Sequence, residues 1–282
     1  MLERVLMINK PIVTFWSWVF ISFLLIVGCS PTKTQNSASI TASPEAPTAR
    51  LTISAAASLK DAMDEIKPLY SKEKPNVNLT YNFGSSGALQ QQIEQGAGVD
   101  VFISAATKQI DALAQKGLLV DGTRRDLLKN QIVLIAPQNS QVVTDFKDLA
   151  SPSIKRIALG EPKSVPAGQY AQQVLTSLNL LNQVKGKTVY AKDVRQALNY
   201  VESGNADAGL VYFSDAKSTP KVKIVATASE KTHSPIVYPI AVLKSSKNVA
   251  AAQDFVQFLA SNEAKSVFEK QGFTLAGSLK TR

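Results

Sequence analysis

The chain has 282 residues but only one cysteine, Cys29, and one histidine, His233. A single cysteine excludes an internal disulfide, and one cysteine with one histidine cannot build a zinc site. His233 lies in the polar segment Glu230–Pro235, so we expect a surface residue rather than a catalytic base. The Gly-x-Ser-x-Gly motif of α/β-hydrolases is also missing. These absences argue against an enzyme.

Acidic residues are fewer than basic ones, and the formal net charge is +9. The lysines are scattered along the chain, without the basic run and interleaved aromatic residues that single-stranded nucleic acid requires. We therefore expect a solvated basic surface and no nucleic-acid partner.

The first 50 residues differ in composition from the rest of the chain. Arg4 and Lys10 precede an uncharged apolar run that ends near Gly28, which is the layout of a signal peptide over residues 1–28. The sequence Ile-Val-Gly-Cys at residues 26–29 resembles the bacterial lipobox, and this resemblance implies that Cys29 is the lipidated N-terminus. The alternative is an ordinary membrane anchor, because the apolar run is near the length that spans a bilayer. Residues 29–50 are rich in Ser, Thr, Pro and Ala, which predicts a flexible tether.

The first segment typical of packed protein is residues 51–59. Leu51–Ile53 suits a buried strand, and a helical apolar period follows at Leu59, Met63 and Ile66. Ser58 lies where the strand meets the helix. It either caps its helix or, with the free N–H groups of the first helical turn, contributes to an anion site.

Short apolar runs alternate with helical periods from residue 51 onward, and this alternation predicts an α/β fold with helices on both faces of its sheets. Ligands of such folds bind beyond the carboxyl ends of the strands. Ser58, Ser86 and Tyr212 lie at or just after predicted strand ends, while Ala167 and Val194 lie at predicted helix starts.

Six motifs occur in order along the chain. They are Ala-Ala-Ala-Ser-Leu at 55–59, Phe-Gly-Ser-Ser-Gly at 83–87, Asp-Val-Phe-Ile-Ser-Ala at 100–105, Val-Pro-Ala-Gly-Gln-Tyr-Ala at 165–171, Asp-Val-Arg-Gln-Ala-Leu at 193–198 and Gly-Leu-Val-Tyr-Phe-Ser-Asp-Ala at 209–216. Together they resemble the periplasmic molybdate-binding proteins, the solute-binding components of molybdate ABC transporters.

This resemblance implies a type II periplasmic binding protein fold, in which two lobes, each a mixed sheet flanked by helices, are joined by a hinge. It implies that lobe 1 comprises residues 51–131 and 243–282 and lobe 2 residues 132–242, with crossovers near Gln131–Pro137 and Tyr238–Lys244. The expected protein is a monomer without a cofactor, held by its lipid anchor on the periplasmic side of the membrane. Its expected partners are an ABC permease and the ATPase of that permease.

The resemblance also implies the ligand contacts. Ser58 and Ser86 would each give a hydroxyl and a backbone N–H, and Ser85 is the alternative to Ser86. Ala167 and Val194 would give backbone N–H groups. Tyr212 would give its phenol. The protein would then ligate no metal directly, because molybdenum is bound only as its oxyanion.

All of these contacts are hydrogen-bond donors and none is a cation. Converging helix starts, each carrying about half a positive charge, could neutralise a dianion. Phosphate still carries a proton near pH 7, and a buried proton without an acceptor costs about 1–3 kcal/mol. Tungstate would be accepted like molybdate. The alternatives are a binding protein for another tetrahedral oxyanion such as sulfate, and a sensor lipoprotein with no transport role.

Overall fold

The structure is a computed structural model that describes residues 49–277. The predicted signal peptide, the lipidation site Cys29 and most of the tether lie outside the described residues. The predicted end of the tether at residue 50 is wrong, because Ala49 and Arg50 already belong to a strand and pair with Val77 and Asn78. No helix within residues 49–277 combines the length and the apolar character needed to cross a bilayer.

Strands and helices alternate along most of the chain, as expected. The strands are β1 (Ala49–Ala56), β2 (Val77–Gly84), β3 (Val101–Ile103), β4 (Arg125–Lys129), β5 (Ile132–Pro137), β6 (Ile157–Gly160), β7 (Thr188–Ala191), β8 (Ala208–Tyr212), β9 (Val222–Thr227), β10 (Val237–Val242) and β11 (Thr274–Leu275). The helices are α1 (Lys60–Glu73), α2 (Ser86–Glu94), α3 (Thr107–Gln115), α4 (Pro166–Ser177), α5 (Leu181–Val184), α6 (Val194–Glu202), α7 (Phe213–Lys217), α8 (Val249–Phe258) and α9 (Asn262–Lys270).

The strands form two mixed sheets. The first has the order β11-β4-β10-β3-β1-β2, and the second has the order β7-β6-β8-β5-β9. In the first sheet β1 pairs in parallel with β2 and β3, whereas β10 is antiparallel to β3 and β4. In the second, β6 is parallel to β7 and β8, and β5 is antiparallel to β8 and β9. We call the first sheet with its helices lobe 1 and the second sheet with its helices lobe 2. The predicted two-lobed α/β fold is confirmed.

The chain passes between the sheets twice. Residues 130–131 lead from β4 to β5, and residues 228–236 lead from β9 to β10. The expectation that lobe 2 extends to residue 242, with a crossover at Tyr238–Lys244, is therefore wrong at this point. Val237–Val242 pairs with β3 and β4, so the crossover precedes it. An apolar strand has the same sequence pattern in either sheet, and only its hydrogen-bonded neighbouring strands decide which sheet it joins.

Apolar packing holds each lobe together. Ile132–Ala136 of β5 is fully buried, as expected for a central strand covered on both faces. In lobe 1 the ring of Tyr70 on α1 makes edge contacts with Phe255 and Phe258 on α8, with ring centroids 5.0 and 5.1 Å apart. These contacts fix the helices whose neighbouring loops form the cleft.

Candidate binding site between the lobes

A small cavity lies between the two lobes, and all five residues predicted from the motifs line it. Its wall consists of Ala56, Ala57, Ser58, Gly84, Ser85, Ser86 and Ala105 from lobe 1, and Val165, Pro166, Ala167, Val194 and Tyr212 from lobe 2. The volume of about 10 Å³ is close to that of one water-sized sphere. The lobes therefore enclose only a small space in this arrangement, and no lysine, arginine or carboxylate lines it.

Ser58 does not cap a helix. A 3₁₀ turn over Ala57–Leu59 separates β1 from α1, which begins at Lys60 without a side-chain cap. The Ser58 hydroxyl instead lies 2.9 Å from the phenol oxygen of Tyr238, and its side chain is buried. Of the two interpretations that the sequence allows, the helix cap is wrong.

The two adjacent serines at the start of α2 have different surroundings. Ser85 is the N-cap, and its hydroxyl accepts the N–H of Ala88 at 3.4 Å. Ser86 is fully buried, and its hydroxyl accepts the N–H of Ala105 at 2.9 Å. In both residues the oxygen accepts from the backbone, which leaves the hydroxyl hydrogen free to point elsewhere. Ser86 is the more rigidly held of the two.

Lobe 2 contributes the first turns of two helices. Pro166 begins α4, and its fixed backbone angle and missing N–H suit that position. Gly168 allows this turn to lie directly on β6, because a Cβ at residue 168 would be 2.0 Å from the carbonyl oxygen of Gly160. Asp193 caps α6 by accepting the N–H of Gln196 at 2.9 Å. Ala167 and Val194 thus lie in first turns that face the cavity.

Four of the residues that line the cavity, Ser58, Ser86, Ala167 and Val194, lie in the first turn of a helix or of the 3₁₀ turn. Backbone N–H groups in the first turn of a helix have no carbonyl partner within that helix. Within residues 49–277, none of the four donates to a backbone carbonyl elsewhere in the chain. Four donors and the positive ends of several helices therefore lie around one small space, which is an arrangement that stabilises an anion.

Two buried tyrosines lie at this site: Tyr212 lines the cavity and Tyr238 packs behind it. The rings of Tyr212 and Tyr238 meet edge to face with centroids 5.6 Å apart. The Tyr212 phenol lies 3.5 Å from the carbonyl oxygen of Ala105, across the gap between the lobes. Burial raises the pKa of both phenols well above the ordinary value for tyrosine. Both therefore keep their proton, and both remain donors at neutral pH.

The nearest charged cluster lies behind the wall. Arg195, next to Val194, pairs with Asp215 in lobe 2 and with Asp61 in lobe 1. Its guanidinium is thus neutralised by two carboxylates and is not part of the cavity lining. The described residues contain no group of three or more His, Cys, Asp or Glu that could hold a metal ion.

The sequence did not indicate three residues that matter here, which are Ala105, Asn130 and Tyr238. Ala105 lies in one of the six motifs, yet nothing in the motif assigns its N–H to Ser86. Tyr238 contacts Ser58 across 180 residues of sequence, and Asn130 contacts Tyr238 across 108 residues. Only the pairing of β10 into the first sheet brings them together.

Comparison with known proteins agrees with this geometry. Residues 51–274 match the family described as bacterial extracellular solute-binding proteins, and the chain belongs to that family. The chain is 48% identical over 254 residues to YvgL of Bacillus subtilis, whose name describes an ABC transporter substrate-binding lipoprotein. That alignment covers 90% of this chain and 94% of YvgL.

Two further relatives carry molybdate in their names. The molybdate-binding protein ModA of Haemophilus influenzae is 39% identical over 233 residues, which cover 81% of this chain and 91% of that protein. The structure of the periplasmic molybdate-binding protein of Azotobacter vinelandii superposes with a TM-score of 0.75 at 27% identity and covers 80% of this chain and all of that one. The resemblance inferred from the six motifs is confirmed, and the relatives are solute-binding proteins rather than enzymes.

Proposed function

We propose that this protein binds molybdate in the cavity between the lobes and delivers it to an ABC permease. One observation carries the proposal: the lining of one small space brings together four residues with unpaired first-turn N–H groups and the hydroxyl-bearing residues Ser58, Ser86 and Tyr212, and it includes no charged side chain. Such a space suits an acceptor-only dianion. The names of the ModA relatives support molybdate as that dianion.

The energy of the proposed contacts is sufficient for tight binding. A hydrogen bond to a charged acceptor contributes roughly 1.5–3 kcal/mol. Seven such bonds need to retain only part of this energy to reach micromolar affinity, about −8 kcal/mol, after the entropic cost of association. A cation in the wall is not required.

The proposal includes the setting of the protein in the cell. Cys29 would carry a lipid anchor and residues 30–48 would act as a tether, so that the monomeric binding domain works on the outer side of the membrane that holds the permease and its ATPase. The description of YvgL as a lipoprotein supports the anchor. Tungstate would bind as well as molybdate, because it has the same charge and nearly the same size.

Isothermal titration calorimetry of the purified protein tests the ligand. We expect one molybdate or one tungstate per chain at micromolar affinity or tighter, weaker binding of sulfate, and the weakest binding for phosphate at pH 7. A protein that binds sulfate tightly and leaves molybdate unbound would contradict the proposal and favour the sulfate alternative. Failure to bind any of the four anions would argue for a sensor of another solute.

A further inference from the structure

Three side chains form a hydrogen-bonded path from the first crossover to the cavity. The amide nitrogen of Asn130 lies 3.3 Å from the phenol oxygen of Tyr238, and that oxygen lies 2.9 Å from the hydroxyl of Ser58. Tyr238 and Ser58 are buried. Ser58 lines the cavity, whereas Asn130 and Tyr238 lie behind it. The path therefore connects the hinge region with a proposed ligand contact.

The orientation of the Asn130 amide is fixed by its neighbours. Its oxygen accepts the backbone N–H of Gln131 at 2.9 Å. Its nitrogen is therefore the end that faces both Tyr238 and the hydroxyl of Ser214, which is 2.8 Å away. An amide NH₂ can only donate. The phenol oxygen of Tyr238 must accept at this contact.

This acceptance determines where the phenolic hydrogen goes. Among the described residues, Asn130 and Ser58 are the partners of the Tyr238 oxygen within 3.5 Å. If Ser58 also donated to Tyr238, the phenolic hydrogen would be left with only the more distant phenol of Tyr212, with which Tyr238 also interacts. Leaving it unpaired costs about 1–3 kcal/mol. The arrangement that pairs every buried hydrogen has Tyr238 donating to Ser58. The hydroxyl hydrogen of Ser58 is then free, and the cavity is the space in front of it.

The hydroxyl of Ser86 is oriented in the same way as that of Ser58, by a different hydrogen-bond donor. The N–H of Ala105 occupies one lone pair of the Ser86 oxygen, so this hydroxyl is also disposed to donate. A cavity whose serine hydroxyls receive a hydrogen bond from behind presents the hydrogens of these serines, and not their lone pairs, to the ligand.

We propose that Asn130 and Tyr238 are positioning residues that hold Ser58 as a donor, and that they thereby make the site selective for fully deprotonated tetrahedral oxyanions over those that carry a proton. This inference rests on the proposed function, because Ser58 is a contact only if the oxyanion occupies this cavity. Without the phenol, Ser58 could rotate and accept a hydrogen bond from a protonated oxyanion such as hydrogen phosphate.

The test is Tyr238→Phe, which keeps the ring and its edge contacts with Tyr212 and Phe273 and removes only the hydroxyl. Calorimetry at pH 6 would compare the affinities for molybdate and inorganic phosphate. We expect molybdate affinity to fall roughly tenfold, the effect of about 1.4 kcal/mol. We expect phosphate affinity to be unchanged or higher. The ratio of molybdate affinity to phosphate affinity should therefore fall by at least the same factor.

The matched control is Tyr70→Phe. Tyr70 is also fully buried in lobe 1, and within the described residues its phenol has no hydrogen-bond partner. We expect this variant to bind both anions as the unchanged protein does. Asn130→Ala provides a second route if Tyr238→Phe does not fold, because Asn130 is only half-buried. It should shift the preference in the same direction, by about threefold, since a smaller part of the same hydrogen-bond energy is lost.

The outcomes separate the two proposals. If the unchanged protein does not bind molybdate, the proposed function fails whatever the variants do. The ordering role of Tyr238 is wrong, while the proposed function stands, if the unchanged protein binds molybdate and Tyr238→Phe alters neither affinity. The same holds if Tyr238→Phe weakens the binding of both anions equally.

Discussion

Ser86 shows how much a single residue contributes at this site. Its side chain is fully buried, its oxygen accepts the N–H of Ala105, and it lines the cavity. The motif Phe-Gly-Ser-Ser-Gly was sufficient to place it there. The motif could not distinguish Ser86 from Ser85, because the distinction lies in Ala105, which belongs to another strand end.

Ser86→Ala is expected to weaken molybdate binding more than Tyr212→Phe. The alanine variant loses a donor to the anion, worth about 1–3 kcal/mol. It also loses the hydrogen bond that holds Ala105 in the cavity wall, so the wall is less well ordered for binding. The phenylalanine variant loses one donor only. We expect a 30-fold or greater loss for Ser86→Ala, from roughly 2 kcal/mol or more, against roughly tenfold for Tyr212→Phe, both measured by calorimetry.

Ser54→Ala is the control for this pair. Ser54 is a buried serine of the same lobe that accepts a long hydrogen bond from Asn82 and does not line the cavity. The molybdate affinity of the Ser54→Ala variant should be unchanged. Equal affinities for Ser86→Ala and the unchanged protein would show that the anion does not contact Ser86.

At the scale of elements, the sequence predicted where helices begin better than it predicted which strands pair. The helix beginning at Pro166 and the capped helix after Asp193 follow from local chemistry, and both were predicted. The strand Arg125–Lys129 was not predicted, because three of its five residues are charged and the two leucines between them are too few to give an apolar strand pattern. The strand Val237–Val242 was predicted but given to the wrong lobe. Its place depends on β3 and β4, which are distant in sequence.

The ion pair between α6 and α7 should leave a signature in the pH dependence of stability. The Nε atom of Arg195 lies 2.7 Å from Oδ1 of Asp215, whose side chain is fully buried. Burial raises the pKa of Asp215 to about 6, although the charge of Arg195 opposes this rise. The folded protein therefore binds this proton more tightly than the unfolded chain does, where the pKa is near the ordinary 3.8.

The sign of the effect follows from linkage. Between about pH 4 and pH 6 the folded state holds the extra proton, so the contribution of Asp215 to the free energy of unfolding falls as pH rises and is constant above pH 6. The shift corresponds to about 3 kcal/mol at about 1.4 kcal/mol per pH unit. Urea unfolding of the unchanged protein and of Asp215→Asn, which cannot titrate, would give the difference between their free energies of unfolding. This difference should decrease from pH 4 to pH 6, and a constant or rising difference would contradict the assignment.

For the whole molecule, function depends on how the lobes meet. Besides the cavity wall and the ring contact between Tyr212 and Tyr238, several polar contacts cross between them. The N–H of Gly87 donates to the carbonyl of Ser164 at 2.9 Å, Arg195 pairs with Asp61, and the Tyr212 phenol lies 3.5 Å from the Ala105 carbonyl. The structure thus has the lobes in contact, and a ligand that touches both would favour this state over an open one. No local sequence pattern predicts such contacts, since each joins residues that only the complete fold brings together.

Gly87→Ala tests this closure directly. A Cβ at residue 87 would lie 2.6 Å from the carbonyl oxygen and 2.9 Å from the Cα of Ser164, and both are backbone atoms that cannot rotate away. Gly87 lies in the first turn of α2, where alanine suits the helix better than glycine. The variant should therefore fold normally with the lobes held apart, so that the donors of lobe 1 and lobe 2 cannot reach the same anion. We expect molybdate affinity to fall at least 100-fold, because losing half of the contacts costs more than about 2.7 kcal/mol. We also expect the compaction on adding molybdate, measured by small-angle X-ray scattering, to disappear.

Gly98→Ala is the matched control in the same lobe, since a Cβ there meets no atom within 4 Å. If Gly87→Ala binds and compacts as the control does, the anion is held by one lobe alone and the contact between Gly87 and Ser164 has no part in closure.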